Sequence, residues 1–336
     1  MDRIDTRVAQ RVALATFALT LLCAPTPADA SPWVLRKHTL VVGLNATAQL
    51  ARNEFLSGSG KRQPYPLNGR FESYSIGLGA RYGLGYNIEL SLRTELKGVS
   101  FVSDPVLLPG DPAPTDLAGY RSSVFNFSGR AIGLGDVFFG VTYAHLRGGL
   151  RLASYLEVKI PTGYRSPRAT FANNQPNPEE ITDDVTLGDG QVDLMYQVQL
   201  GYVIRPTRTL LELDLGYKVR FNGPGHQLVG QFKVGQFLGK HVLLYAAVEG
   251  AYTLFEGDVI GQTFVAVDPR APARDWPDNN VQPIDYRLDR DFLTVGGGVL
   301  LRVGRPNFVL RVAHTPLGRN YAQLTAISLG MLVSFG

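Results

Sequence analysis

Cysteine is all but missing from this chain. A single one, Cys23, stands among 336 residues, in a short apolar run near the N-terminus. Downstream of it a disulfide, a thiolate metal site and a cysteine nucleophile are all excluded. Long hydrophobic runs are missing too. After residue 30 nothing approaches the roughly 18 to 20 unbroken apolar residues that a membrane-crossing helix needs. Charge of one sign is scarce: the formal net charge is +4, spread along the sequence, so no nucleic-acid-binding surface is marked. The Lys/Arg surplus suits contact with anionic lipid headgroups instead. No Ser/Pro linker, composition shift or helical hydrophobic period sets off a second domain. The histidines are few, namely His38, His145, His226, His241 and His314. None sits in a nucleophile motif, and their spacing is not that of metal ligands. The chain is therefore expected to be no enzyme and to carry no cofactor or metal.

The first thirty residues read as an address. Arg3, Arg7 and Arg11 form a positive region, Val12 to Cys23 an apolar run, and Ala28-Asp29-Ala30 the small-x-small pattern of a cleavage site. The run is too short to span a bilayer as a helix. Leu22 stands before Cys23, where a lipidation signal favours a small residue. Residues 1–30 are expected to be a removed signal peptide and 31–336 the exported domain, beginning at Ser31.

Glycine, tyrosine and phenylalanine are plentiful, at 37, 15 and 17, within a chain that is 45% hydrophobic and has a mean hydropathy of −0.01. They are arranged at period two. Leu211, Leu213, Leu215, Tyr217, Val219 and Phe221 alternate with Glu212, Asp214, Gly216, Lys218 and Arg220. The same holds for Ile88, Leu90, Leu92 and Leu96 against Glu89, Arg93, Glu95 and Lys97, and for Leu150 to Ile160 against Arg151, Tyr155, Glu157 and Lys159. Successive side chains of a strand point to opposite faces. A wall that meets lipid outside and a polar lumen inside reads this way, and runs of about ten residues suit tilted bilayer-spanning strands better than a soluble sheet.

The expected fold is thus all-β, a transmembrane antiparallel barrel of about twelve strands. These lie near 38–55, 70–82, 87–102, 130–146, 149–161, 190–203, 209–222, 227–238, 241–256, 290–303, 307–317 and 321–335. Tight turns at Gly83-Leu84-Gly85, Arg147-Gly148, Arg205-Pro206-Thr207, Gly239-Lys240 and Gly304-Arg305-Pro306 alternate with long loops near 56–69, 103–129, 162–189 and 257–289. Short turns face the periplasm and long loops the outside in such barrels. The last strand is expected to carry Tyr321, Ile327, Leu329, Met331, Val333 and Phe335 on one face. Phe335 near the end is a signal for the outer-membrane assembly machinery, with Gly336 following it as a departure.

Charges in hydrocarbon cost several kcal/mol each, so the charged members of these strands must face a lumen or one another. The lumen-lining candidates are Glu89, Arg93, Glu95, Lys97, Arg151, Glu157, Lys159, Glu212, Asp214, Lys218, Arg220, Glu249 and Arg311. Two readings are open for them: an ion-pair network that fills the barrel, or a polar lining that selects a solute. The loop 257–289, with Trp276 and Phe264, reads either as a partial lid or as a surface loop. Glu179-Glu180 and Asp183-Asp184 read as a solvated acidic loop, with a divalent-cation site at the lipopolysaccharide-facing rim as the alternative. Expected partners are outer-membrane lipid, lipopolysaccharide, the assembly machinery and a small-molecule cargo, without nucleic acid.

Residues 133–163 read GLGDVFFGVTYAHLRGGLRLASYLEVKIPTG, and residues 186–202 read TLGDGQVDLMYQVQLGY. A Gly-x-Gly-Asp strand, a tight turn, a strand ending in Lys-x-Pro-Thr-Gly and then a Leu-Gly-x-Gly strand resembles the outer-membrane family named for the MetA pathway of phenol degradation. The resemblance covers about seventy residues. It implies a barrel that passes small, often aromatic or hydrophobic compounds across the outer membrane, and it brings no catalytic residues. On the residues themselves, Asp136 is expected near the lumen and Pro161 is expected to end a strand, having no N–H for the ladder. A passive channel for small hydrophobic or aromatic compounds is the leading expectation, and a non-conducting structural or adhesive barrel with a plugged lumen is the alternative.

Overall fold

In a computed structural model the described residues are 32–56, 59–107, 124–125, 128–164, 166–167, 185–271 and 280–336. The expected signal peptide, Trp276 and both acidic pairs of the loop 162–189 lie outside them.

Twelve antiparallel strands close into one barrel in which every strand pairs with its neighbours in sequence. They are β1 (Leu40–Ala51), β2 (Arg70–Gly85), β3 (Ile88–Val102), β4 (Gly129–Arg147), β5 (Leu150–Ile160), β6 (Asp193–Ile204), β7 (Thr209–Arg220), β8 (Gln227–Leu238), β9 (Val242–Thr253), β10 (Asp291–Arg302), β11 (Pro306–Arg319) and β12 (Thr325–Phe335). The barrel is closed by β1 on β12, from Leu40 opposite Phe335 to Leu50 opposite Thr325. Closure leaves no unpaired edge, the condition for a sheet to stand in hydrocarbon.

The outward face is apolar. Ile132, Leu215 and Tyr252 are 82%, 58% and 63% exposed, and their neighbours on that face include Leu78, Leu96, Phe139, Leu156, Phe232 and Ile327, all exposed. The polar side chains have gone inside. Glu89, Thr142 and Gln199 are buried outright, and Glu157, Lys159, Asp193, Glu212, Asp214 and Arg220 nearly so. A soluble protein does not invert its surfaces in this way; a membrane barrel must.

Two details differ from the sequence expectation. The turn between β2 and β3 falls at Tyr86-Asn87 rather than at Gly83-Leu84-Gly85, with φ of 50° and 66°. Two successive positive φ values make the two-residue hairpin turn whose twist suits the strands. Gly83 instead sits where a Cβ would lie 2.0 Å from the Arg36 carbonyl oxygen, because the N-terminal segment crosses there. The last barrel strand begins at Thr325, and Tyr321-Ala322 is a separate short strand on Asn53–Phe55. The irregular stretch between them reverses the parity. Tyr321 therefore turns inward and stacks on Phe292 at 4.8 Å between ring centres, while Ile327 faces out.

Candidate functional site: the barrel interior

Inward-facing positions of the strands enclose a cavity of about 550 Å³. One side of its wall is small and uncharged, with Asn45, Thr47 and Ser75 from β1 and β2. The rest of the wall, from β3 round to β11, carries the charges, and Phe138, Tyr155, Phe292 and Tyr321 add aromatic surface. Eight of the thirteen lumen candidates line it: Arg93, Glu95, Lys97, Glu157, Asp214, Lys218, Glu249 and Arg311. Most of them are paired along the wall. Arg93 donates to both oxygens of Glu157 at 3.0 Å and lies 4.0 Å over the Phe138 ring. Tyr155 donates to the same carboxylate at 2.5 Å. Arg311 meets Glu249 at 2.7 Å, and Lys97 lies 3.7 Å from Glu95.

The other five candidates lie away from this cavity. Glu212 pairs with Lys233 at 2.7 Å. Glu89 and Arg151 belong to the end with the short turns, where the segment from Pro32 to Lys37 enters the barrel. The Leu35 amide donates to Glu89 at 2.8 Å, and Arg81 meets the same carboxylate at 2.5 Å. The Arg151 guanidinium sits 5.7 Å from the centre of the Trp33 ring. Trp33 packs on Gly201 of β6, where a Cβ would stand 2.4 Å from the ring. No periodic signal marks Trp33, because it precedes the first strand.

Lys159 and Arg220 belong to the opposite end, with the long loops, and there the pieces of the quoted motifs converge. Lys159 is 2.5 Å from Asp189, 2.8 Å from Asp193 and 3.9 Å from Asp136. Arg220 meets Asp189 at 2.6 Å and donates to the Leu288 carbonyl at 3.0 Å. The segment 185–192 is thereby folded inward. Leu187 is buried against Gly133, its carbonyl accepts from Lys97 at 3.2 Å, and the Gly190 amide donates to the Tyr164 hydroxyl at 3.2 Å. Tyr164 in turn donates to Asp136. On the far side of the mouth, Asp289 accepts from the Gly225 and Gly257 amides at 2.8 and 2.7 Å.

The electrostatics follow from this packing. Burial opposes the charged form of Asp189, but Lys159 and Arg220 outweigh it and hold the carboxyl at about 2. Burial, together with the Asp136 carboxylate, pushes the Tyr164 phenol well above its usual range. Pro161 follows the last residue of β5, as a residue without an N–H should. Asp189 carried no signal as a functional residue: its partners lie 30 residues upstream and 31 downstream.

The histidines lie at the two rims. His38 meets the Tyr82 hydroxyl at 3.1 Å, His226 that of Tyr217 at 2.7 Å, and His314 the Thr325 hydroxyl at 2.9 Å. His145 does meet a serine: its Nε2 is 2.8 Å from Ser154 Oγ, which is also 2.9 Å from the Tyr196 hydroxyl. All these are amphipathic side chains in the bands where aromatic belts form. Among the described residues no group of three or more His, Cys, Asp or Glu could hold a metal ion.

No family model matches the chain, and no curated protein matches it. Among solved structures it is similar to the COG4313 outer membrane channel from Pseudomonas putida F1, with 11% identity, a TM-score of 0.60 and coverage of 92% of this chain and 99% of that one. It is also similar to the translocator domain of the autotransporter NalP from Neisseria meningitidis, at 12% identity, a TM-score of 0.40 and coverage of 98% and 96%. A third is the KdgM porin in complex with disordered oligogalacturonate, at 7% identity, a TM-score of 0.42 and coverage of 88% and 99%. At such identities the likeness is one of fold. By that fold, the chain is a twelve-stranded β-barrel of the outer-membrane type.

Proposed function

We propose that this protein is a passive outer-membrane channel for small hydrophobic or aromatic compounds, akin to the barrels named for the MetA pathway. The observation that carries the reading is the cavity of about 550 Å³, enclosed by a lipid-belted barrel and faced with Phe138, Tyr155, Phe292 and Tyr321. Aromatic walls give an aromatic solute offset or edge-on contacts without fixing its identity, and a cavity of this size admits one small molecule at a time. The wall charges are largely spent on one another, so the lining is less hostile to an apolar solute than its composition suggests. In the same reading the partners are outer-membrane lipid around the apolar belt, lipopolysaccharide at the outer rim and the assembly machinery at the C-terminal strand.

A specific observation favours the alternative, a barrel with a plugged lumen. The Pro32–Lys37 segment occupies the periplasmic end, and the ion-paired segment 185–192 folds into the outer one. Liposome uptake separates the two. A neutral aromatic such as benzyl alcohol should enter protein-bearing vesicles faster than empty ones and faster than a sugar does. Equal entry of the aromatic and the sugar would make the barrel a general pore. Entry no faster than in empty vesicles would leave the plugged barrel standing.

A further inference from the structure

Among the described residues, one cation on the cavity wall has no carboxylate within ion-pairing distance. Arg93, Lys97, Lys218 and Arg311 all line the cavity. Arg93, Arg311 and Lys97 each have a carboxylate at 3.0, 2.7 and 3.7 Å respectively. Lys218 has none within ion-pairing distance among the described residues. Its hydrogen bond is a long one to the neutral Oε1 of Gln227, at 3.4 Å. Its opposite numbers on the flanking strands are Met195 and Gln227. The acids beyond it are engaged elsewhere: Asp193 and Asp189 are both held by Lys159 and Arg220. Asp214 shares its strand face four residues away, roughly 13 Å along the chain.

An ammonium withdrawn from bulk water is costly to leave without a partner. Arg93, Arg311 and Lys97 have each been given one from the wall, so the partner of Lys218 is best supplied from the cavity. The same cavity presents Phe138, Phe292 and Tyr321. We propose that the cavity is a binding site for a small aromatic carboxylate, whose carboxylate pairs with Lys218 while its ring lies against the aromatic wall. The proposal deepens the channel reading by naming its solute class, and for transport, though not for binding, it rests on that reading.

The test uses the full barrel in detergent, with benzoate and its neutral counterpart benzyl alcohol as probes in calorimetric titrations at pH 7. Wild type should bind benzoate well above benzyl alcohol. Lys218→Gln should weaken benzoate about tenfold or more and leave benzyl alcohol unchanged, the loss expected for one charge-assisted bond. Lys218→Arg should retain most of the benzoate affinity. Gln227→Glu, which places a carboxylate where Lys218 already reaches, should abolish the benzoate preference and tests the site even if Lys218→Gln does not fold. Benzoate binding that is absent from wild type, or equal in wild type, Lys218→Gln and Gln227→Glu, overturns the site. Vesicle entry of benzyl alcohol is read separately. Entry with Lys218-independent benzoate binding retires the site and keeps the channel, whereas Lys218-dependent binding without entry keeps the site and retires the channel.

Discussion

Asp189 shows how much one side chain can hold. It lies on a segment with no regular structure and is gripped by Lys159 at 2.5 Å and Arg220 at 2.6 Å. Removing one partner of a largely buried ion pair costs on the order of 3 kcal/mol, since the remaining charges are left without their counter-ion. Asp189→Asn should therefore free the segment 185–192 without unfolding the barrel. Hydrogen exchange at the Gly190 and Gln191 amides should accelerate by tenfold or more while amides in β7 stay protected; unchanged protection at 190–191 would show that the grip is elsewhere. The pH dependence has a definite sign. The folded pKa of Asp189, about 2, lies below the ordinary carboxylate value of 3.8. Its contribution is thus fully present above about pH 4 and is lost as pH falls through about 2. Protection of the segment should be the same at pH 7 and pH 5 and collapse only toward pH 2. A loss already complete at pH 5 would contradict the assignment.

At the scale of elements, what was legible in the sequence and what was not divides along one physical line. Strands advertise themselves because each second residue faces lipid, so β7 and β8 appear in the sequence within two residues of their observed ends. The charged members of those strands were legible for the same reason. Tyr321 was misplaced because period two holds only while the strand is continuous, and the break before Thr325 shifts its phase. Trp33 and Asp189 were invisible as site residues because their placement is decided by tertiary contact alone. The N-terminal segment makes the point testable. Gly201 lies in a strand yet carries no side chain, which suits the close approach of Trp33 and Pro32, whose atoms would stand 2.4 and 2.7 Å from an added Cβ. Gly201→Leu should therefore expel this segment from the short-turn end while the twelve-strand ladder persists. Cleavage of residues 32–37 by an added protease should rise severalfold, with the heat-modifiable gel shift of the folded barrel retained. Unchanged cleavage would mean that the segment is anchored by Glu89 and Arg81 rather than by its fit to Gly201.

For the whole molecule, the decisive property is the inversion of its surfaces, and it can be tested with one residue. Leu215 stands near the middle of β7, 58% exposed, on the strand whose opposite face buries the acids Glu212 and Asp214. If the outer face met water, Leu215→Arg would remove an exposed apolar group and change stability by no more than about 0.5 kcal/mol. If it meets hydrocarbon near the midplane, the same change should cost about 2 to 4 kcal/mol, falling toward zero at the interfaces. Moving the arginine along the outward face therefore draws a depth profile. Leu215→Arg should be severe and Leu211→Arg, nearer the turn at the start of β7, mild, as read by urea titration of the barrel folded in vesicles. A flat profile would say that these strands do not lie across a bilayer, and every inference about an interior lumen would fall with it. A steep one would fix the position of the membrane on the barrel, and with it the depth at which the cavity, Lys218 and the ion-paired outer end sit.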